Sequence, residues 1–389
     1  MNKVCIFNND GFSVLHFRKR LIQDLIISGY HVTVLVPKSK YDNELRSLGI
    51  DVVNIKMDRF INPISDLILL FRLYSFLRNE SFDLIHNMTI KPNIYGGLIA
   101  KLVGIKRIVS LVPGAGFIFS DDADFFRKIL QIVLIRLYRF SMRYTDKVWF
   151  QNSEDKKDFI DNKIINPSQA VVIVSSGVDI QKFSMSNLNQ DEVDQWKYQL
   201  AIEDNHQIMM MVTARVIRSK GVCEFLKAAR HFRSVDHAKK FILIAPTENN
   251  SFDGLKNEIQ YTSKLGNFHH HSAFIDDIHN VIALADVMIL PSYYREGVPR
   301  ALLEALSLGK PIITTDHIGC RETVLDGQNG FLVKPRDSDD LICKIQKITE
   351  TNSIIEKYGV SSRELAEEKF SDEEVSKAVI KELYNHKIL

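Results

Sequence analysis

Two glutamates in the second half of the chain stand where a loop leads into a helix. Glu296 and Glu304 lie in the stretch 288–311, MILPSYYREGVPRALLEALSLGKP, which predicts a buried strand, a polar loop and a helix that begins at Pro299. The free N–H groups and dipole of a helix N-terminus favour an anion. Acidic side chains beside an anion site indicate a ligand that carries both phosphates and hydroxyls. The alternative is a surface ion pair, because Arg300 stands four residues before Glu304.

A second candidate is the basic loop TARVIRSKG, residues 213–221, which follows the predicted strand QIMMMV. The guanidinium of Arg215 can bind a diphosphate from two sides, and Lys220 adds a compact charge. Together they would neutralise a departing nucleoside diphosphate. The alternative is a solvated basic turn. The first interpretation is favoured because this strand and the strand before Glu296 are expected to share one sheet.

The first half of the chain has a similar loop after its first strand, NNDGF at residues 8–12. A dinucleotide fingerprint would need three glycines at fixed spacing, so the single Gly11 is evidence against a Rossmann dehydrogenase. We expect Gly11 to let the backbone approach the donor, and we place Asp10 and Phe12 on the acceptor side. An ordinary strand-to-helix turn is the alternative.

Two further segments are expected to line the same site. His86 is predicted to end the strand FDLIHNM and to orient a sugar hydroxyl or share a proton, with a hydrogen-bonded structural histidine as the alternative. Lys91 precedes a helix that begins with proline. Gly114 and Gly116 lie in the loop LVPGAGFIF. All four are predicted to lie on the acceptor side.

The stretch 125–144, FFRKILQIVLIRLYRFSMRY, predicts a helix that is basic along one edge and apolar elsewhere. Such a helix suits an anionic membrane surface or a lipid diphosphate. A packed helix with its cationic edge in water is the alternative. The predicted membrane-contacting residues are Lys128, Arg136, Arg139 and Arg143.

No metal site and no cofactor are expected. The run of three histidines at 269–271 lies in a predicted strand, where successive side chains face opposite ways and cannot converge on one ion. The four cysteines lie far apart without metal-ligand spacing, which indicates a reducing compartment. No signal peptide or spanning segment is recognised, so we expect a cytoplasmic protein that is at most peripheral to the inner membrane.

Charge is distributed unevenly although the net value is only +2, which gives no reason to expect nucleic-acid binding. Residues 1–185 hold 25 Lys and Arg against 18 Asp and Glu, and the remainder holds 25 against 30. This asymmetry indicates an anionic partner for the first half.

The 389 residues favour two domains. Short β-branched runs alternate with helical periodicity before and after a polar segment, which predicts an α/β protein with two Rossmann-like domains and parallel sheets. The predicted boundaries are 1–178 for an acceptor-binding domain, 179–192 for a linker, 193–370 for a nucleotide-sugar-binding domain and 371–389 for a helix that returns to the first domain. Ligands bind beyond the carboxyl ends of parallel strands, so we expect the site between the domains.

These motifs resemble those of one enzyme family. The spacing of Glu296 and Glu304 resembles the E-x7-E signature of retaining glycosyltransferases of family 4, which have the GT-B fold. ARVIRSKG is similar to the family's donor-phosphate loop, with Ala214 where glycine is usual, and SSGVDIQKF resembles its linker, with Ser176 in place of asparagine. YREGVPRALLEAL and HNMTIKPNIYGG resemble the branch that extends lipid-linked or capsular oligosaccharides.

The resemblance implies a role for each matching position. Arg215 and Lys220 would bind the donor diphosphate, and Glu304 would bind the ribose hydroxyls. Glu296 would bind the donor sugar together with the backbone of Gly297 and Val298. The backbone of Phe274 and Ile275 would contact the base. Many relatives carry H-x-H at the positions of His86 to Met88, and because Met88 replaces the second histidine, the role of that histidine is not transferred directly. The candidate catalytic residues are Arg215, Lys220, Glu296 and His86.

The implied activity is retaining transfer of a hexose or N-acetylhexosamine from a nucleotide-diphosphate sugar, UDP being the expected nucleotide, to a growing polyprenyl-diphosphate-linked oligosaccharide. No metal would be required. Three alternatives remain: a soluble acceptor, an isomerase of the UDP-N-acetylglucosamine 2-epimerase type, and a binding protein without catalysis. The epimerase would convert the nucleotide sugar without any acceptor.

Overall fold

The protein consists of two compact units. A computed structural model describes residues 3–58, 62–116, 118–119, 125–247 and 254–384. Unit 1 comprises Met1–Gly177 together with Asp372–Leu389, and unit 2 comprises Val178–Ser371.

Each unit is built on one parallel sheet, as the alternating pattern predicts. The sheet of unit 1 has the order β3-β2-β1-β4-β5-β6-β7, and that of unit 2 has the order β10-β9-β8-β11-β12-β13. The strands are β1 Lys3–Phe7, β2 His31–Val36, β3 Asp51–Asn54, β4 Leu84–Met88, β5 Arg107–Val112, β6 Lys147–Phe150, β7 Ala170–Val172, β8 Gln207–Val212, β9 Lys239–Ile244, β10 Phe268–His271, β11 Val287–Leu290, β12 Ile312–Thr315 and β13 Gly330–Val333.

Helices connect the strands and cover both faces of the sheet in unit 1. The helices are α1 Gly11–Ile27, α2 Asp42–Ser47, α3 Pro63–Glu80, α4 Gly97–Val103, α5 Phe125–Met142, α6 Ser153–Asp161, α7 Gln190–Gln199, α8 Val222–Val235, α9 Lys256–Ser263, α10 His279–Ile282, α11 Arg300–Ser307, α12 Ser338–Ile348, α13 Asn352–Lys369 and α14 Asp372–Val379. π-helical turns precede α4 at Pro92–Gly96 and follow α14 at Ile380–Tyr384.

Alternate residues of the unit 1 strands enter two different cores. Val4 and Ile6 of β1 pack with α1 and α14 on one face, whereas Cys5 and Phe7 pack with α3 and α4 on the other. The core beneath α5 continues this second face, because Val112 of β5 packs there. Helices α3, α4 and α5 therefore form one layer, and α1 and α14 form the opposite layer.

The chain end belongs to the core of unit 1. The apolar residues of α14 and of the following turn pack with α1 and the sheet; they are Val375, Val379, Ile380, Leu383 and Tyr384. The last five residues of the helix predicted at 371–389 lie outside the described residues.

Helix α1 starts at Gly11 because the Asp10 carboxylate caps it, accepting from the Ser13 N–H at 2.6 Å. Two local predictions were wrong in detail. Pro299 was expected to be the first helical residue of α11, but its ψ of 123° makes it the extended residue that precedes the helix. His86 was expected at the end of its strand, but it is the third of the five residues of β4.

The segment expected to be a linker, 179–192, is packed within unit 2. It contains a 3₁₀ turn at Met185–Asn187 and the start of α7. The guanidinium of Arg363 donates to the carbonyls of Ile180 and Phe183 at 3.1 Å each. Side chains of unit 2 therefore fix this segment.

Candidate active site

The basic loop and the Glu296 loop lie side by side in unit 2. They follow β8 and β11, which are neighbours in the sheet with Met210 opposite Met288. The backbone N–H of Tyr293 donates to the carbonyl of Ser219 at 2.8 Å. At Gly221, where φ is +81°, a Cβ atom would lie 2.2 Å from the Pro291 oxygen. Only glycine allows this close approach, which packs the two loops tightly against each other.

Lys220 and Glu296 form an ion pair at the junction of these loops. The ammonium Nζ lies 2.6 Å from both carboxylate oxygens, and the two side chains are 10% and 20% exposed. Ser292 donates its hydroxyl to Glu296 Oε1 at 3.0 Å. The carboxylate is thus held by three hydrogen bonds at the carboxyl edge of the sheet. The sequence predicted both residues for this site, but it did not predict that they pair or that Ser292 takes part.

Tyr294 brings the two predicted phosphate-binding cations together. The Arg215 guanidinium carbon lies 4.8 Å from the centroid of its ring, and Lys220 Nζ lies 5.3 Å from the same centroid. A cation over an aromatic face is attracted by the ring quadrupole. Sequence reasoning missed Tyr294. Its position two residues before Glu296 indicated that it could lie near the site. A tyrosine in a loop, however, does not indicate which cations its ring will contact.

Glu304 lies on the first turns of α11 and is paired with Arg300. The Nε–Oε1 distance is 3.0 Å, and the side chains are 18% and 12% exposed, so the pair is largely buried rather than on the surface. Burial raises the pKa of Glu304, although Arg300 and Lys182 oppose the shift. Lys182 is itself 3.1 Å from Asp277, a pair that the sequence analysis did not identify.

The remaining donor-side residues occupy loops of unit 2 and α1 of unit 1. Gly297 and Val298 are buried between Glu296 and α11. Phe274 is 44% exposed and Ile275 is partly buried, in the loop after β10, the edge strand next to β9. Gly11 is the first residue of α1, where a Cβ would lie 2.6 Å from Ser39 Oγ. A role for Gly11 in donor binding stays a prediction.

His86 is fully buried in unit 1. Its Nδ1 lies 2.9 Å from the Tyr384 hydroxyl. Burial, with a smaller contribution from Arg18, lowers the pKa of His86 from 6.5 to about 3. The ring is therefore neutral at neutral pH and has no exposed atom for a substrate, an arrangement that favours the structural alternative considered for it.

Other acceptor-side candidates also have internal partners. Lys91 Nζ lies 2.5 Å from Asp66 Oδ1, and Tyr95 donates to the other oxygen of Asp66 at 3.1 Å. Asp10 caps α1. Phe12 contacts the rings of His16, Phe17 and Tyr41. The loop with Gly114 and Gly116 follows β5, as predicted. Roles for these residues in acceptor binding stay predictions.

Helix α5 exposes three of the four predicted membrane-contacting residues. Lys128, Arg136 and Arg143 are exposed. Arg139 is half-buried, and its guanidinium donates to the Asn162 carbonyl at 2.7 Å, just after α6. Membrane contact by Arg139 and by the three exposed residues stays a prediction. None of the helices within the described residues is long and apolar enough to cross a membrane.

A metal centre is not assembled by the described side chains, since no group of three or more His, Cys, Asp or Glu residues among them could hold an ion. His270 of the histidine run instead directs Nε2 to the Ala245 carbonyl at 2.9 Å.

Comparisons with known proteins identify the class. Residues 192–364 match the family model "Glycosyl transferases group 1", and residues 3–152 match "Glycosyl transferase 4-like". The solved structure of Anabaena HepE in complex with UDP-glucose superimposes with a TM-score of 0.80 at 16% identity, covering 99% of this chain and 100% of that chain. The solved structure of a glycosyltransferase from Rickettsia africae superimposes with a TM-score of 0.78 at 18% identity, covering 99% of this chain and 98% of that chain. The chain is a glycosyltransferase with the GT-B fold. The region that matches the glycosyl transferase 4-like model lies in unit 1, and the region that matches the group 1 model lies in unit 2.

The names of two curated relatives specify sugars linked to undecaprenyl diphosphate. The chain is 29% identical over 353 residues, 90% of each protein, to the N,N'-diacetylbacillosaminyl-diphospho-undecaprenol α-1,3-N-acetylgalactosaminyltransferase of Campylobacter jejuni. It is 27% identical over 292 residues, 75% of this chain and 73% of the other, to the UDP-Gal:α-D-GlcNAc-diphosphoundecaprenol α-1,3-galactosyltransferase of Escherichia coli.

Proposed function

We propose that this glycosyltransferase moves a hexose or N-acetylhexosamine from a UDP-sugar to a polyprenyl-diphosphate-linked oligosaccharide, with retention at the anomeric carbon. The observation that carries the proposal is the cluster of Arg215, Lys220, Tyr294 and Glu296 at the carboxyl edge of the unit 2 sheet. Two cations suited to a diphosphate lie beside a carboxylate suited to sugar hydroxyls, and this supports the proposal. The names of the two curated relatives support the lipid-linked acceptor.

In the proposed reaction, the acceptor hydroxyl oxygen bonds to the anomeric carbon as the bond from that carbon to the diphosphate oxygen breaks. The hydroxyl proton passes to the leaving diphosphate on the same face of the sugar. Negative charge builds on the diphosphate during this step. Arg215 and Lys220 would stabilise it, because preorganised cations act most strongly where charge develops.

The pair of Lys220 with Glu296 is compatible with this role. A lysine ammonium has three donors, so Lys220 can donate to a phosphate oxygen and keep one hydrogen bond to Glu296. Glu296 would then accept from the donor sugar, and Glu304 from the ribose. Both carboxylates already have a cationic partner, which offsets the cost of holding them in a largely buried site.

The test is a transfer assay with UDP-sugars and undecaprenyl-diphosphate-linked acceptors, with the anomeric configuration of the product read by NMR. Turnover of a UDP-sugar without any acceptor, to an epimerised product, would instead identify an isomerase. Donor binding that raises the melting temperature without turnover of any acceptor would identify a binding protein. We also propose that no metal is needed, and we expect EDTA to leave the rate unchanged.

We further propose that the enzyme works at the cytoplasmic face of the inner membrane as a peripheral protein. The three exposed cations of α5 and a lipid-linked acceptor support this location.

A further inference from the structure

One outer surface of unit 1 exposes an unusual number of large apolar side chains. Eighteen large hydrophobic side chains are exposed among the described residues, and eight of them lie on α3 and α5. Helix α4 packs between these two helices, and all three cover the same face of the sheet. We call the solvent side of this layer the α3–α5 face.

Helix α3 has an apolar side that the protein does not cover. Ile64, Leu67, Ile68 and Phe71 are 76%, 55%, 48% and 68% exposed. Their spacing of three and four residues places them on one side of the helix. A different side supplies the core of unit 1 with Leu69, Leu73 and Leu77. The exposed apolar side therefore is not needed for packing of the described chain.

Helices α5 and α4 continue the same surface. Ile129, Ile132, Val133 and Phe140 of α5 are between 42% and 50% exposed, and Leu102 of α4 is 71% exposed. The opposite side of α5 is buried through Leu134, Tyr138 and Met142. A large exposed apolar surface marks a site of interaction with a protein or a membrane.

Among the described residues of α3, α4 and α5, the exposed charges on this face are predominantly basic. Its exposed basic residues are Arg72, Lys101, Lys128, Arg136 and Arg143. The acids of the three helices are Asp66, which is buried against Lys91, and Glu80, the last residue of α3, which pairs with Lys3. An interface with a second copy would bring this cationic face against itself, because an isologous contact uses the same patch twice. The charges instead complement an anionic layer.

We propose that the α3–α5 face binds the surface of an anionic lipid bilayer, with the apolar side of α3 inserted below the headgroups. Helix α5 alone would provide cations and a shorter apolar stripe, whereas α3 adds four apolar residues without an acid on the exposed side. The proposal rests in part on the proposed function, since a lipid-linked acceptor would be presented at this surface.

The experiment measures co-sedimentation of the full chain with two kinds of vesicles. One contains phosphatidylethanolamine and phosphatidylglycerol, and the other contains only phosphatidylcholine. The α3 variant is Leu67→Ser with Phe71→Ser. The matched control is Ile27→Ser with Val360→Ser, which removes exposed apolar side chains of 83% and 60% exposure from other surfaces. Melting temperatures confirm that each variant is folded.

We expect the α3 variant to bind the anionic vesicles about ten-fold more weakly than wild type, because inserted apolar groups are lost. The control should bind as wild type does. Arg136→Gln with Arg143→Gln should weaken binding to the anionic vesicles about thirty-fold at low salt, and this loss should shrink as salt is added. Phosphatidylcholine vesicles should not distinguish the arginine variant from wild type.

Wild-type vesicle affinity of the α3 variant would overturn the proposal. So would conversion of an oligomer to a monomer by the α3 substitutions, measured by light scattering, because the face would then be a protein interface. The two proposals can fail separately. Vesicle binding through α3 without any sugar transfer would refute the proposed function but not the membrane surface. Sugar transfer together with unchanged vesicle affinity of the α3 variant would refute the membrane surface but not the proposed function.

Discussion

Replacing His86 with glutamine should remove a large part of the acid sensitivity of unit 1. Burial and the charge of Arg18 lower the pKa of His86 from 6.5 to about 3, so the folded protein binds a proton there less readily than the unfolded chain. Stability is therefore lost as pH falls below 6.5, and the loss continues to about pH 3. Between pH 7 and pH 5 this linkage amounts to about 2 kcal/mol.

The assay is urea unfolding followed by tryptophan fluorescence. The chain has two tryptophans, and Trp149 lies 6.3 Å from His86 between ring centroids in unit 1. Replacing the other, Trp196→Phe, makes the signal specific for unit 1. In this background, His86→Gln should reduce the loss of unfolding free energy between pH 7 and pH 5 by about 2 kcal/mol.

The control variant is Tyr384→Phe. It removes the hydroxyl that lies 2.9 Å from His86 but keeps the burial that lowers the pKa. We expect it to be less stable at every pH and to retain the wild-type pH dependence. An unchanged pH dependence in His86→Gln would refute the reasoning, since the histidine would then not be the group that resists protonation.

Three further predictions concern catalysis in the proposed transfer reaction. Lys220→Ala should lower kcat about a hundred-fold or more through lost stabilisation of the leaving diphosphate, and a wild-type rate would disprove that role. Glu304→Ala should raise the donor KM about ten- to a hundred-fold with a smaller change in kcat, as measured by initial rates; an unchanged KM would move the ribose site elsewhere. Tyr294→Leu should lower kcat/KM about five-fold or more because Arg215 and Lys220 lose their shared ring, whereas Tyr294→Phe should keep it; equal effects of the two variants would contradict a cation–π role.

The sheets could be predicted because their signal is local. Buried parallel strands are short apolar runs between polar loops. The strands predicted at QIMMMV, before Glu296 and within FDLIHNM are observed as β8, β11 and β4. Helix starts were less certain. Pro299 precedes α11 instead of beginning it, and Asp10 caps α1 through a single side chain, which periodicity does not detect.

The sequence predicted which strands lead to the site, but it did not predict the side-chain contacts within the loops. The neighbouring positions of β8 and β11 follow from the topology of a parallel sheet, and they bring Lys220 to Glu296. The contacts of Tyr294 and Ser292 depend on loop conformation and could not be derived from spacing. Only the expected place of His86 at the end of its strand was wrong. It lies in the middle of β4, and its ring faces Tyr384.

The discontinuity of unit 1 has a consequence for the newly made chain. Unit 2 is continuous in sequence, so all of its residues leave the ribosome before residue 372 does. The core of unit 1 includes Val375, Val379 and Tyr384, and it cannot close until these residues have been synthesised. During synthesis the first unit to be made is thus the last that can be completed, and its α1 side remains uncovered for the whole time that unit 2 is being translated.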